Sequence, residues 1–217
     1  MTFYPIFVRL RDRPCVVIGG GEVAERKALG LRRAGAGVTV ISPELTGELQ
    51  RLALAGEIRH QPRGYRPGDL AGAFLAYAAT DDEAVNGEIA AEAESQGVLL
   101  NVVDRPALCD FIVPAVLERG DLVIAACTGG ASPMMARRIR EALGGQFGPE
   151  YGDALDILRT LRRRLADEGR TLDERKRIFA ALLDSPLLDL LRGRDREGVN
   201  RLLAETLGGE YRWESQS

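Results

Sequence analysis

Three consecutive glycines, at positions 19–21, lie between a short β-branched run and a charged segment. Residues 16–18 predict a buried strand, and residues 22–34 predict a helix that ends at Gly35. A glycine turn between a strand and a helix leaves the amide groups of the first helical turn open to a ligand. The usual ligand of such a helix start is a diphosphate, so this turn predicts an anion site.

The glycines fit the spacing Gly19-x-Gly21-x-x-Ala24, the dinucleotide fingerprint in which alanine takes the third small position. The turn opens a helix, and a second apolar run, VTVIS, follows at residues 38–42. This context favours a dinucleotide site over the alternative, a tight turn that binds nothing. Gly20, between these two glycines, is also predicted to contact the dinucleotide.

The second predicted strand ends at Ser42-Pro43-Glu44. NAD sites place an acid near this point, whereas NADP sites place a cation there. Ser42 stands where the acid normally lies, so we expect the ribose to contact the backbone near Pro43 and the side chain of Glu44. The charge of Glu44 would repel a 2′-phosphate, so the predicted cofactor is NAD.

A carboxylate, Asp104, ends another apolar run in the stretch NVVDRPALCDF. Beside a nicotinamide, this carboxylate would accept a proton while a hydride leaves to the cofactor, and we expect it to be partly buried. The alternative is a turn-forming aspartate ahead of Arg105-Pro106. The one histidine, His60, falls within a predicted third strand, so histidine-based catalysis is not expected.

A second glycine-rich loop, in CTGGASPMMARRIR, leads into a helix start with Ser132 as N-cap and Pro133 at the first position. Its amides and hydroxyls suit an anionic substrate group, and the arginines that follow suit carboxylates. The alternative for the arginines is a solvated helix face. The predicted substrate contacts are Thr128, Gly129, Gly130, Ser132 and Arg137.

Strand and helix patterns alternate up to about residue 104. We expect helices over 44–56 and 82–96, and strands over 57–61, 73–80 and 98–104. This alternation predicts an α/β fold, a doubly wound parallel Rossmann sheet. The strand ends at Gly19, Ser42, Thr80 and Asn101 should line one crevice, which adds Thr80 and Asn101 to the predicted cofactor contacts.

The pattern changes after Pro106. Two apolar runs separated by a turn at 118–121 and a helix that ends at Gly144 or Gly145 predict a small α+β unit. From Pro149 onward the pattern is helical, with breaks near Gly169, Pro186 and Gly193. The predicted domains are 1–112, 113–148 and an all-helical 149–217.

The 217 residues, 45% hydrophobic and with a net charge of −3, suit an α/β domain with an appendage and exclude a general nucleic-acid binder. No run approaches the length of a membrane span, so no membrane partner is expected. The three cysteines have neither zinc spacing nor the number of a disulfide scaffold. We expect no metal site and a cytoplasmic protein.

Several stretches together resemble the precorrin-2 dehydrogenase / sirohydrochlorin ferrochelatase family, the NAD-dependent part of siroheme synthase. They are YPIFVRLRDRPCVVIGGGEVAERKALGLRRAGAGVTVISP, AATDDEAVN, NVVDRPALCDFIVPAVLERGDLVIAACTGGASPMMARRIR and LDERKRIFAALLDSP. They run in order over nearly the whole chain, and the segment from NVVD to GGASP is the most specific.

The resemblance implies oxidation of precorrin-2 to sirohydrochlorin with NAD⁺, and in many members insertion of Fe²⁺ to give siroheme. It implies that Asp104 is the catalytic residue and that Glu22 and Val23 contact the pyrophosphate. It also implies a homodimer whose subunits exchange the unit from Phe111 to Arg140, with the helical tail covering the tetrapyrrole site. The alternative function, a non-catalytic NAD-sensing module, leaves Asp104 and the GGASP loop without a role.

Overall fold

The computed structural model describes residues 3–208 and 211–213 of the chain. It divides into two compact units, Met1–Val113 and Pro114–Ser217. The further division predicted at residue 149 stays a prediction, and the last residues of that predicted domain, 214–217, lie outside the described part.

The first unit is a five-stranded parallel sheet with helices. Its elements are β1 (Pro14–Ile18), α1 (Glu22–Arg33), β2 (Gly37–Ile41), α2 (Gly47–Leu54), β3 (Arg59–Gln61), β4 (Leu75–Ala78), α3 (Glu83–Gln96) and β5 (Leu99–Val102), followed by a short 3-10 turn at Pro106–Leu108. The strand order is β3-β2-β1-β4-β5, with every neighbouring pair parallel.

The central strand β1 is covered on both faces. Cys15 and Val17 belong to one apolar cluster, which includes residues of α1 and α2, while Val16 and Ile18 belong to a second, which includes residues of α3. Since successive strand residues point to opposite faces, an unbroken apolar run is what a doubly covered strand requires. The predicted doubly wound sheet is confirmed.

All five strands end at a common edge, where Gln61, the last residue of β3, pairs with Ile41, the last residue of β2. Ile18 of β1 pairs with Ile41 of β2 and with Ala78 of β4, and Ala78 pairs with Val102 of β5. The segments that leave this edge therefore start level with one another. Thr80 and Asp104 occupy the same position, two residues beyond their strands.

Several elements of this unit are shorter than predicted, and two of the differences, at the start of α2 and the end of β5, bear on the site. The helix expected from residue 44 starts at Gly47, because the Thr46 hydroxyl caps it and accepts a hydrogen bond from the Leu49 amide at 3.3 Å. Ser42-Pro43-Glu44 is thereby left as a loop. The strand expected up to residue 104 ends at Val102, so Asp104 lies in the following turn.

In its described residues, the second unit contains a β-hairpin and five helices: β6 (Ala115–Arg119), β7 (Leu122–Ala126), α4 (Pro133–Gln146), α5 (Glu150–Asp167), α6 (Leu172–Leu183), α7 (Leu187–Arg192) and α8 (Arg196–Leu207). The strands are antiparallel, and Arg119 pairs with Leu122, so the turn is shorter than predicted. The predicted helix breaks near Gly169, Pro186 and Gly193 are confirmed.

The start of α4 is as predicted, but its end is not. The Ser132 side chain accepts a hydrogen bond from the Met135 amide at 3.2 Å, and Pro133 is the first helical residue. The helix continues through Gly144 to Gln146, where the Phe147 amide closes it on the Leu143 carbonyl. Gly144 therefore lies inside the helix and does not terminate it, and a methyl group at this position would make an ordinary van der Waals contact with Leu117 of β6, at 3.7 Å.

Candidate functional site

The glycine turn after β1 is fastened to its neighbours through the backbone. The Gly19 amide donates to the Ile41 carbonyl at 2.9 Å, and the Gly20 carbonyl accepts from the Thr46 amide at 3.0 Å. A methyl group added at Gly20 would collide with the Glu44 carbonyl oxygen and the Ser42 side chain. The turn therefore tolerates no side chain at this position.

Gly21 differs from Gly20 because it faces open space. A methyl group at Gly21 would meet no atom of the described part of the chain within 4 Å. Gly21 is the N-cap of α1 and gives no side-chain hydrogen bond to the amides of the first turn. Glu22 and Val23 begin that turn, while Ala24 is buried in the cluster against the sheet. This helix start has the room and the amide dipoles that a diphosphate requires.

The predicted ribose contacts separate into two kinds. Ser42 is buried, its side chain lies against the glycine turn, and its carbonyl oxygen lies 2.9 Å from His60 Nε2. Pro43 and Glu44 are exposed at the surface of the same loop. Of the three, Pro43 and Glu44 are thus the ones available to a ribose.

A cavity of about 270 Å³ lies beyond the carboxyl ends of β4 and β5. The start of α1, the segment after β4, the first turns of α3 and the segment after β5 all contribute to it. Its lining residues are Val23, Ala79, Thr80, Asp81, Asn86, Val103, Asp104 and Arg105. The structure thus brings together Val23, Thr80 and Asp104 of the predicted site.

Asn86 is a member of this lining that the sequence analysis missed. It is only 5% exposed, and its Nδ2 donates to the Thr80 carbonyl at 3.0 Å, while its Oδ1 has no partner among the described residues. A buried acceptor without a donor is unusual and suits a ligand that carries an N–H or O–H group, as the nicotinamide half of a dinucleotide does. The sequence could have revealed Asn86 through its spacing with Ile89 and Ala93, because this spacing places all three residues on the buried face of α3.

Asp104 adopts a left-handed backbone conformation, with φ of 58°. Asparagine and aspartate are the non-glycine residues most often found there, and neighbouring contacts must hold the conformation. The Val103 amide donates to the Ala78 carbonyl at 2.9 Å, and the Arg105 amide donates to the Val102 carbonyl at 3.3 Å. The expectation of a partly buried carboxylate is wrong, because Asp104 is exposed, beyond the end of the sheet.

The segment after Asp104 returns to β5 and fixes this turn. Cys109 Sγ accepts a hydrogen bond from the Val102 amide at 3.2 Å, and the Asp110 carboxylate accepts one from the Leu100 amide at 2.9 Å. Asn101 Nδ2 donates to the Phe111 carbonyl at 2.9 Å. The Asn101 amide thus fastens this segment, and Asn101 does not line the cavity.

The predicted substrate loop lies in the second unit. Thr128 Oγ1 accepts from the Ser132 amide at 3.2 Å and donates to the Ser132 carbonyl at 3.0 Å, which closes the loop on itself. Gly129 and Gly130 have φ of 64° and 87°. Arg137 is exposed and pairs with Glu141 at 2.9 Å. The guanidinium of Arg137 lowers the pKa of Glu141 through this hydrogen bond.

Within residues 3–208 and 211–213, no group of three or more His, Cys, Asp or Glu side chains is arranged to hold a metal ion. No helix in the same residues combines the length and the apolar character needed to cross a membrane.

An open helix start above a glycine turn, beside a cavity at the carboxyl ends of parallel strands, defines a dinucleotide-binding α/β domain. A family model described as putative NAD(P)-binding matches residues 6–115. The chain belongs to this family, and the predicted nicotinamide dinucleotide cofactor is confirmed.

The chain is also similar to proteins named siroheme synthase. It is 42% identical to that of Chromobacterium violaceum over 195 residues, which are 90% of this chain and 42% of the relative. It is 41% identical to that of Ectopseudomonas mendocina over 210 residues, which are 96% of this chain and 45% of the relative. The chain therefore spans less than half the length of these relatives.

A solved structure, that of SirC, a precorrin-2 dehydrogenase, has the same fold. It matches with a TM-score of 0.80 at 25% sequence identity, and the match covers 95% of this chain and 100% of that one. The predicted fold, including the parts that follow the Rossmann sheet, is thus confirmed.

Proposed function

We propose that this chain catalyses the NAD⁺-dependent oxidation of precorrin-2 to sirohydrochlorin. The family supports a nicotinamide cofactor, and the match to SirC over nearly the whole chain supports the substrate. The relatives named siroheme synthase support a place in siroheme formation.

The observation that carries the proposal is the position of Asp104. Asp104 belongs to the lining of a cavity that also includes Val23, the second residue of α1. The diphosphate of a dinucleotide binds at the start of α1, and the fold sends the nicotinamide half toward β4 and β5. A proton acceptor beside this path is what a hydride-transfer reaction needs.

Each part of the proposed site has one task. When bound, NAD⁺ supplies an oxidised ring that takes up a hydride with its two electrons. The amides at the start of α1 hold the diphosphate, and Asn86 offers its Oδ1 to a donor on the nicotinamide half. Asp104 accepts the proton that precorrin-2 loses in the same oxidation and, being exposed, releases it to water.

The choice of NAD over NADP rests on Glu44. Its side chain is exposed on the loop that packs against the glycine turn. A carboxylate there accepts ribose hydroxyl groups and repels a 2′-phosphate. The proposed cofactor contacts are therefore the helix start, Pro43 and Glu44.

The test is an anaerobic assay of the purified protein with precorrin-2 and NAD⁺, following NADH and the sirohydrochlorin spectrum separately. We expect equal amounts of the two products and little turnover with NADP⁺. Binding of NAD⁺ without either product would instead identify a non-catalytic NAD-sensing module. The same assay with Fe²⁺ added as a substrate measures whether sirohydrochlorin is converted to siroheme.

The remaining predictions become parts of this proposal. The glycine loop of the second unit, with Thr128, Gly129, Gly130, Ser132 and Arg137, would bind carboxylates of the substrate. The protein would act as a homodimer, and light scattering of the purified chain measures its molar mass in solution.

Three free thiols, at Cys15, Cys109 and Cys127, support a reducing, cytoplasmic location.

A further inference from the structure

We infer that Arg105 binds a carboxylate of the substrate and that Glu83 occupies it until the substrate arrives. The inference rests on the proposed function, because precorrin-2 is a polycarboxylate. It adds a specificity-determining residue to the site, next to Asp104 in the chain.

The charges around the cavity create the need for such a residue. Its lining contains two carboxylates, Asp81 and Asp104, and one cation, Arg105. The other five lining residues are uncharged. A polyanionic substrate that approaches Asp104 meets repulsion from both carboxylates, and among the lining residues Arg105 alone offsets it.

Arg105 forms an ion pair that a substrate carboxylate can displace. Its guanidinium pairs with the carboxylate of Glu83, the first residue of α3. Both side chains are well exposed, at 50% for Arg105 and 74% for Glu83, and Glu83 does not belong to the cavity lining. Exposed pairs of this kind are weak, so a substrate carboxylate can replace Glu83.

The chemistry of arginine fits this exchange. A guanidinium presents a planar set of N–H donors that binds a carboxylate through two parallel hydrogen bonds. Once it is released from Glu83, the Arg105 guanidinium can form the same pair of hydrogen bonds with an acetate or propionate arm of the substrate. Glu83 thus competes with the substrate for one cation.

The test measures the affinity for sirohydrochlorin, the polycarboxylate product, by fluorescence quenching, together with KM and kcat for precorrin-2. The variants are Arg105→Gln, Arg105→Lys and Glu83→Gln. The matched controls are Arg51→Gln and Glu48→Gln, which break a similarly exposed pair on α2 outside the cavity. Thermal unfolding reports whether each variant is folded, and the affinity for NAD⁺ reports whether its cofactor site is intact.

We expect Arg105→Gln to weaken sirohydrochlorin binding and raise KM about tenfold or more, with a smaller effect from Arg105→Lys. Glu83→Gln should have the opposite sign and tighten binding about two- to fivefold, since the competitor is removed. Both control variants should leave KM, kcat and both affinities unchanged.

Two results would overturn the inference. One is a Glu83→Gln variant that binds sirohydrochlorin no more tightly than the wild type does. The other is an Arg105→Gln variant in which kcat falls while KM and the affinity for sirohydrochlorin stay unchanged. Failure of the proposed function gives a different result. A wild-type protein that binds sirohydrochlorin through Arg105 but does not oxidise precorrin-2 retains the inference and loses the activity. A wild-type protein that does not bind sirohydrochlorin loses both.

Discussion

At Gly21, helix stability and cofactor binding place opposite demands on one position. Aspartate is among the best N-cap residues, and open space surrounds Gly21, so Gly21→Asp should keep or slightly raise thermal stability. The added carboxylate would stand where the diphosphate binds, and like charges in contact cost several kcal/mol. We therefore expect the affinity for NAD⁺, measured by calorimetry, to fall by about 100-fold or more.

Gly21→Asn is the matched control for charge, because asparagine caps equally well without it. It should weaken binding far less than Gly21→Asp. Equal losses in the two variants would mean that bulk alone blocks the site, and wild-type affinity in both would remove the diphosphate from this helix start.

The backbone of Asp104 decides which substitution tests its role. Alanine at a φ of 58° adds strain of about 1 kcal/mol, whereas asparagine adopts this conformation readily. Asp104→Asn removes the proton acceptor alone, so we expect turnover of precorrin-2 to fall about 10²- to 10⁴-fold. Thermal stability and the affinity for NAD⁺ should stay at wild-type values. Unchanged turnover would assign the base to another residue.

Residues of the site differ in how readily a sequence reveals them. The glycine turn and Asp104 could be predicted because their types and spacing carry the chemistry by themselves. Asn86 could not, since its importance depends on a buried Oδ1 that lacks a donor. In the sequence, Arg105 is notable only for preceding a proline, whereas in the structure its charge matters because the two other charged residues of the lining are aspartates.

Among elements, the segment between β3 and β4 depends on one helix residue. The Glu92 carboxylate of α3 accepts hydrogen bonds from the Gly68 amide at 2.9 Å, from the Leu70 amide at 2.8 Å and from the Tyr65 hydroxyl. Glu92→Gln replaces one acceptor oxygen by a donor, so we expect a loss of about 1–3 kcal/mol in the free energy of unfolding. Urea unfolding at pH 7 measures this, and Glu94→Gln, at an exposed position of the same helix, is the control.

The same carboxylate gives the first unit a pH dependence. Burial opposes ionisation of Glu92, but the hydrogen bonds from Tyr65, Gly68 and Leu70 outweigh it and hold its pKa below the ordinary value of 4.5. A lowered pKa in the folded state stabilises the protein above the unfolded pKa, and this contribution is lost as the pH falls through the folded pKa. The stability difference between wild type and Glu92→Gln should therefore shrink below about pH 4. A constant difference down to pH 3 would contradict this assignment.

Element types could be predicted from the sequence more securely than element ends. The alternation of apolar runs and helical patterns sufficed for the parallel sheet. The ends depend on particular hydrogen bonds: the Thr46 hydroxyl caps α2 three residues later than expected, and the Phe147 amide closes α4 on the Leu143 carbonyl, beyond Gly144. The pattern of apolar residues does not determine these bonds.

For the whole molecule, each unit has its own apolar core. The two clusters on the faces of the sheet consist of residues of the first unit, and a third cluster, over residues 154–211, belongs to the second. The glycine turn, the ribose loop and the cavity all lie before residue 114. The proposed substrate loop at 128–132 lies after it.

A fragment of residues 1–113 therefore separates cofactor binding from the reaction. It retains both clusters of the sheet and every proposed cofactor contact, so we expect it to fold and to bind NAD⁺ with the affinity of the full chain. It lacks the loop proposed to bind substrate carboxylates, so precorrin-2 should not be oxidised. Calorimetry with NAD⁺ and the anaerobic assay measure the two properties, and Gly21→Asp in the fragment is the control for specific binding. A folded fragment that does not bind NAD⁺ would mean that the second unit contributes to the cofactor site, and one that oxidises precorrin-2 would remove Thr128 and Arg137 from the substrate site.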